Sequence, residues 1–216
     1  MAPDQLLLFV GAGLLLNLTP GPDVLYIVTH ALKSGARAGI VAALGITAGC
    51  FVHIFAAAVG VSALLAASAT AFTLLKWIGA AYLVWVGFKM LRASAPPAMD
   101  VAAPGARTGN ALDLKTVFAR GFATNALNPK VALFFLAFLP QFIGPAIERK
   151  SLAFLLLGLL FNLNGLWVNI GWAVAAAWLS RRVGVVRTGM HWLERAAGAM
   201  FLGFGLKLAL SDNPSR

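Results

Sequence analysis

Three long stretches of this chain carry no Asp, Glu, Lys or Arg: residues 5–22, 38–75 and 151–180. Each reaches the ~18 apolar residues that mark a segment able to cross a membrane. Backbone N–H and C=O groups find no water in hydrocarbon, so only helices or closed barrels can span it. Barrel strands would alternate polar and apolar residues over ~10 positions, and these stretches do not. The sequence therefore predicts an all-α integral membrane protein in one transmembrane domain. No soluble core needs a chain that is 60% hydrophobic and 11% charged with mean hydropathy +0.85.

The net charge of +10 does not point to nucleic acid. The basic residues lie between apolar segments, with no aromatic-interleaved patch beside them, and read as topology signals. Residues 1–4 lack the positive n-region of a secretory leader, so the first apolar stretch is expected to stay as a helix. A single cysteine, Cys50, rules out an intramolecular disulfide and any cysteine-cluster metal site.

Six spans are expected, near 5–30, 39–66, 72–92, 116–143, 151–180 and 191–210. The polar connector 93–115, broken by Pro-Pro and Pro-Gly steps, divides them into repeat one (1–92) and repeat two (116–216). The halves resemble each other: 77–91 (WIGAAYLVWVGFKML) aligns with 195–209 (RAAGAMFLGFGLKLA), so Gly87 matches Gly205 and Lys89 matches Lys207. Thr19-Pro20 falls opposite Asn128-Pro129, while Gly49 and His53 fall opposite Gly165 and Asn169. Three spans per repeat make the second half inverted, the arrangement transporters use for alternating access. Lys33, Arg37, Lys89, Arg92, Arg107, Lys115, Arg120, Arg181, Arg182 and Arg187 all flank loops on one side. The positive-inside rule then puts the connector in the cytoplasm and both termini outside.

Span one is interrupted by Asn17-Leu18-Thr19-Pro20-Gly21-Pro22-Asp23. Proline donates no N–H, so Pro20 frees the carbonyl of Leu16 and Pro22 that of Leu18. Gly21 permits the break, and Pro22 suits the first position of a new half-helix. Span four carries Asn125-Ala126-Leu127-Asn128-Pro129-Lys130, with Asn128 as N-cap and Pro129 as first helical residue. The amides of Lys130, Val131 and Ala132 would then offer a positive helix end to a carboxylate, and Asp23 and Lys130 form a candidate opposite-charge pair. Each break comes roughly 14 residues into its span, or ~20 Å, so both fall near the middle of a ~30 Å core. His53, Asn162, Asn164 and Asn169 are the other strongly polar residues deep in spans, suited to substrate contact or to interhelical hydrogen bonds. Gly45 and Gly49 are expected to let helices pack closely.

A metal-cation exporter is the nearest alternative, but hard cations want several carboxylates and soft ones clustered Cys or His. Here only Asp23 is a deep carboxylate. A membrane-embedded enzyme would need a nucleophile with its base, and His30, His53 and His191 are scattered.

NLTPGPD (17–23), SGARAG (34–39), ALGITAGCFVH (43–53), GFATNALNPKVALFFLAFLPQF (121–142) and ERAAGAMFLGFGLKLAL (194–210) together resemble the lysine exporter (LysE/RhtB) family over nearly the whole chain. The resemblance implies export of amino acids or their derivatives across a bacterial inner membrane, driven by the proton motive force. The implied partners are a zwitterionic amino acid, a proton and the bilayer, with no cofactor, metal or nucleic acid, and homo-oligomer formation is left open. It also implies a functional core at Asp23 and Asn128-Pro129-Lys130, with Gly35, Arg37 and Gly39 forming the cytoplasmic turn.

Overall fold

The computed structural model describes residues 3–61, 69–92, 113–143 and 147–179, with single positions 195, 198, 199, 202, 203, 205 and 206. Among the described residues every regular element is helical. Helix α1 is Pro3–Leu18 and α2 is Pro22–Ala56, which runs on as a π turn, Ala57–Val61. Helix α3 is Ala69–Arg92, α4 is Leu114–Ala126, and α5 is Pro129–Leu133, followed by a π turn, Phe134–Phe138, and a 3-10 turn, Leu139–Phe142. Helix α6 is Lys150–Leu179. Pro140, unable to donate to the carbonyl of Leu136, interrupts the α-helical ladder in this last part of span four.

Two segments, Pro22–Gly60 and Lys150–Trp178, are long and apolar enough to cross a membrane, and Leu114–Ala126 with Pro129–Phe142 forms a third if the pair, bent by 42°, is one broken span. The first of these is not one rod. Gly35 has φ 82° and ψ 177°, a conformation essentially confined to glycine. A Cβ on Gly39 would lie 2.7 Å from that of Ala31, although eight residues of straight helix would separate them by about 12 Å. The chain therefore folds back at Gly35, and α2 is a hairpin of two helical arms. Arg37 lies exposed beside the bend and Gly39 is buried, against Ala31 and Ala173. Gly35→Ala is expected to cost about 1–3 kcal/mol, read as a lower unfolding temperature in detergent.

The bend thus falls within the turn expected at 34–39, and α1, an apolar helix of 16 residues, precedes the first arm across the break at 19–21. Residues 62–66 of span two, 93–112 of the connector, and all of 191–210 except positions 195, 198, 199, 202, 203, 205 and 206 lie outside the described residues. One of those positions is informative, because a Cβ on Gly205 would sit 3.0 Å from the carbonyl oxygen of Ala80, so residue 205 packs backbone-close against α3. At the connector's end, Asp113 caps α4: it accepts from the Lys115 amide at 3.0 Å and from the Thr116 hydroxyl. These bonds, with the Thr116 hydroxyl first, hold its carboxyl below the usual range.

The second arm of α2 packs on α4 through glycine. A Cβ on Gly45 would stand 2.3 Å from the Phe118 carbonyl oxygen, and one on Gly49 2.4 Å from that of Phe122. This close packing is what the sequence predicts for these residues, and it sets the height of α4 against α2. Tyr26 reinforces it from the first arm by donating to the Val117 carbonyl at 2.8 Å. Two different interiors result. Toward one end, Phe9, Phe134, Phe135, Phe138, Phe142, Phe154 and Phe161 form an aromatic core, with Phe134 and Phe161 stacked at 4.5 Å. Toward the hairpin bend, the seam between α2 and α6 sets small residues, Ala31, Ala42, Ala43, Ala173 and Ala176, beside Val24, Ile27, Val28 and Ile46. The two helix breaks lie between these interiors.

Candidate functional site

At the first break, Pro20 and Pro22 stop the helical ladder. The Thr19 amide is shared between the carbonyls of Leu15 (3.0 Å) and Leu16 (3.3 Å), and its hydroxyl donates back to Leu15 at 2.6 Å. Gly21 is extended, and α2 restarts at Pro22 with no side-chain cap. At the second break, Asn128 is the N-cap that the sequence predicts. Its Oδ1 accepts from the Lys130 amide at 3.0 Å, and Pro129 opens α5.

The breaks are tied to each other crosswise. Asp23 Oδ2, from the first break, accepts from Asn125 Nδ2 and Asn128 Nδ2 of the second, each at 2.9 Å. Lys130 Nζ, from the second, donates to the carbonyls of Leu16 and Thr19 at the end of α1, each at 3.2 Å. An ammonium on the carbonyl end of a helix meets both its free acceptors and its partial negative charge. Asp23 is 7% exposed, and its second oxygen, Oδ1, is buried without a partner among the described residues, as is Asn125 Oδ1. Two buried acceptors lacking a donor at one place are uncommon in a folded protein.

This geometry alters two details of the sequence reading. Asp23 and Lys130 do share one site, but the ammonium binds carbonyls and the carboxylate binds amides, so neither is spent on the other. The free helix end at the second break is also mostly consumed, because Asn128 takes the Lys130 amide and the Ala132 amide bonds the Asn128 carbonyl at 3.0 Å.

Between the breaks lies a small cavity lined by Asn17, Asp23, Asn125, Lys130, Asn162 and Asn169 of the residues the sequence points to, and by Leu16, Val24, Ile46, Thr47, Cys50, Val131, Phe161 and Gly165. Its free volume is about 20 Å³, room for a water and too little for an amino acid. Thr19 supplies a carbonyl, Pro20, Pro22 and Pro129 shape the breaks, and Asn128 positions Asp23. His53 stands behind the site, its Nε2 hydrogen-bonded at 2.8 Å to the Asn125 carbonyl. As a carbonyl only accepts, Nε2 carries the hydrogen. Asn164 is not brought in, and donates instead to the Val10 carbonyl at 3.4 Å, while Gly35, Arg37 and Gly39 sit at the bend.

Cys50, Thr47 and Gly165 belong to the cavity although the sequence reading did not select them. The spacing of Cys50 three residues before His53, and of Gly165 three residues after Asn162, is the signal for two of them; Thr47 has none. Asn162 Nδ2 donates to the Thr47 carbonyl at 3.2 Å, and a Cβ on Gly165 would lie 3.2 Å from Asn17 Oδ1. Gly21 leaves space for the lysine, since a Cβ there would be 3.2 Å from Nζ. Gly21→Ala is therefore expected to displace the ammonium at a cost of about 1–3 kcal/mol, read as a lower unfolding temperature in detergent. Among the described residues no three His, Cys, Asp or Glu side chains converge.

The family model described as "LysE type translocator" matches residues 14–212. The chain belongs to this family. A homoserine/homoserine lactone efflux protein of Salmonella typhimurium is 32% identical over 199 residues, covering 90% of this chain and 91% of that protein. A leucine efflux protein of Enterobacter sp. (strain 638) is 27% identical, with 93% of each chain covered. An uncharacterized membrane protein of Vibrio cholerae is 34% identical over 89% of this LysE-family chain and 90% of its own length. No solved structure matches the chain.

Proposed function

We propose that the protein is a secondary transporter that exports amino acids or their derivatives from the cytoplasm across the bacterial inner membrane, coupled to the proton motive force. The observation that carries this reading is the crosswise joining of two proline breaks around one cavity, with an acid from the first and a base from the second. A zwitterion presents both charges that such a site accommodates, and binding at the junction of two broken helices is a known transporter arrangement. The relatives named for homoserine, homoserine lactone and leucine efflux support the substrate class.

In this reading six spans form two inverted repeats, 1–92 and 116–216, joined by a cytoplasmic connector, 93–115, with both termini outside. The hairpin bend with Lys33 and Arg37 then faces the cytoplasm. The seam between α2 and α6 is the inner barrier and the phenylalanine core the outer one. Lys130 meets the substrate carboxylate, and Asp23 takes the ammonium or the coupling proton. Separation of α2 from α6 opens the site inward, and its cavity enlarges to take the substrate.

Export from cells with and without the gene, across a panel of amino acids, tests the function. Faster efflux of at least one neutral amino acid is expected, and identical efflux of all of them contradicts the reading.

A further inference from the structure

On the reading just given, the geometry divides the labour between Asp23 and Lys130. We propose that the substrate's ammonium replaces the Lys130 ammonium on the carbonyls of Leu16 and Thr19. The displaced Lys130 then meets the substrate carboxylate, and Asp23 is left to carry the coupling proton at Oδ1.

Counting satisfied groups leads to this assignment. Leu16 and Thr19 already hold a primary ammonium at 3.2 Å, the group an amino acid brings. Were the substrate ammonium to bind Asp23 while Lys130 left for the carboxylate, Thr19 O would have no donor. Leu16 O would keep only the 3.3 Å contact from the Thr19 amide. Thr19 O, and Leu16 O beyond that contact, would then depend on water in a cavity with room for about one molecule. In the exchange these carbonyls keep an ammonium, Lys130 gains a carboxylate, and the charge at the site is unchanged.

Asp23 is suited to the proton by the same count. Oδ2 is fixed by two amide donors, while Oδ1 and Asn125 Oδ1 have no donor among the described residues. A proton bound at Oδ1 converts one unpartnered acceptor into a donor. It is taken up from outside and released to the cytoplasm as the substrate moves the other way, and no other bond changes. The titratable neighbours are Lys130 from α5 and His53 and Cys50 from the second arm of α2. From α1 and α6 the cavity receives the neutral amides Asn17, Asn162 and Asn169.

Purified protein in liposomes tests the assignment through Asp23→Asn, whose amide imitates a carboxyl that is permanently protonated. In this variant the ratio of accumulation driven by a pH gradient to amino-acid counterflow without one is expected to fall by about tenfold or more. Loss of counterflow in folded Asp23→Asn, alongside robust wild-type counterflow, overturns the assignment. Absence of counterflow in the wild type instead contradicts the exporter reading itself. In a second arm, Lys130→Ala leaves the carbonyl niche vacant, so ethylammonium is expected to raise its unfolding temperature and not that of the wild type. No shift in the variant, or an equal shift in both, also overturns the assignment.

Discussion

Lys130→Ala is expected to abolish export while protein still reaches the membrane. The ammonium makes two charge-assisted hydrogen bonds to carbonyls at the end of α1. Each bond of this kind contributes about 1.5–3 kcal/mol, so losing even one corresponds to about 10–100-fold in an equilibrium or rate. Because the substrate ammonium takes over those carbonyls, what the variant lacks is the positive charge that, among the described lining residues, only Lys130 offers a substrate carboxylate, and losing that contact should reduce efflux by about 10–100-fold or more. Lys130→Arg is not a rescue. The guanidinium is broad and planar, and the niche is narrow enough that one methyl on Gly21 would lie 3.2 Å from Nζ. Efflux from cells expressing each variant, normalised to membrane protein, reads the difference.

Gly45→Val combined with Gly49→Val is expected to prevent accumulation of folded protein. Even alanine at either position would place a methyl within 2.3–2.4 Å of a backbone oxygen of α4, and backbone cannot turn aside as a side chain can. Helix α4 would have to retreat, and overpacking of this sort costs about 1–3 kcal/mol per site. Two such sites on one seam would together cost about 2–6 kcal/mol, enough to exhaust a stability at the lower end of the usual range of about 5–15 kcal/mol. Gly49→Ala alone is the more instructive variant, because its methyl would also stand 3.0 Å from Asn125 Cβ. Displacing Asn125 moves a donor to Asp23, so this variant should lose transport before it loses the fold. Detergent extraction with size-exclusion chromatography, paired with efflux, separates the two effects.

The features that sequence alone made legible are those written in the local backbone. Pro20, Pro22 and Pro129 lack an N–H wherever they sit, so both breaks could be located without knowing their neighbours. Asn128 caps within two residues of itself, and Gly35 is one of few residue types able to hold φ 82°. The close seam at Gly45 and Gly49 followed from small residues four apart.

What the sequence did not disclose depends on partners more than a hundred positions away. Lys130 could have paired with Asp23, but its ammonium reaches Leu16 and Thr19 because the freed carbonyls stand nearer to hand. Asn162 and Asn164 are two apart, so they diverge by about 200° around α6. One meets the cavity and the other α1, a distinction that requires the packing of α6. Cys50 reads as a small apolar residue, yet it lies one helical turn before His53 and faces the cavity.

That cysteine, the chain's only one, offers the most direct test of a substrate bound between the breaks. In purified wild-type protein, the rate at which a small methanethiosulfonate modifies Cys50 should fall when an exported amino acid is added, and fall further as its concentration rises. Amino acids that are not exported should leave the rate unchanged. An exported amino acid that gives no protection at saturating concentration would contradict a substrate site between the two breaks.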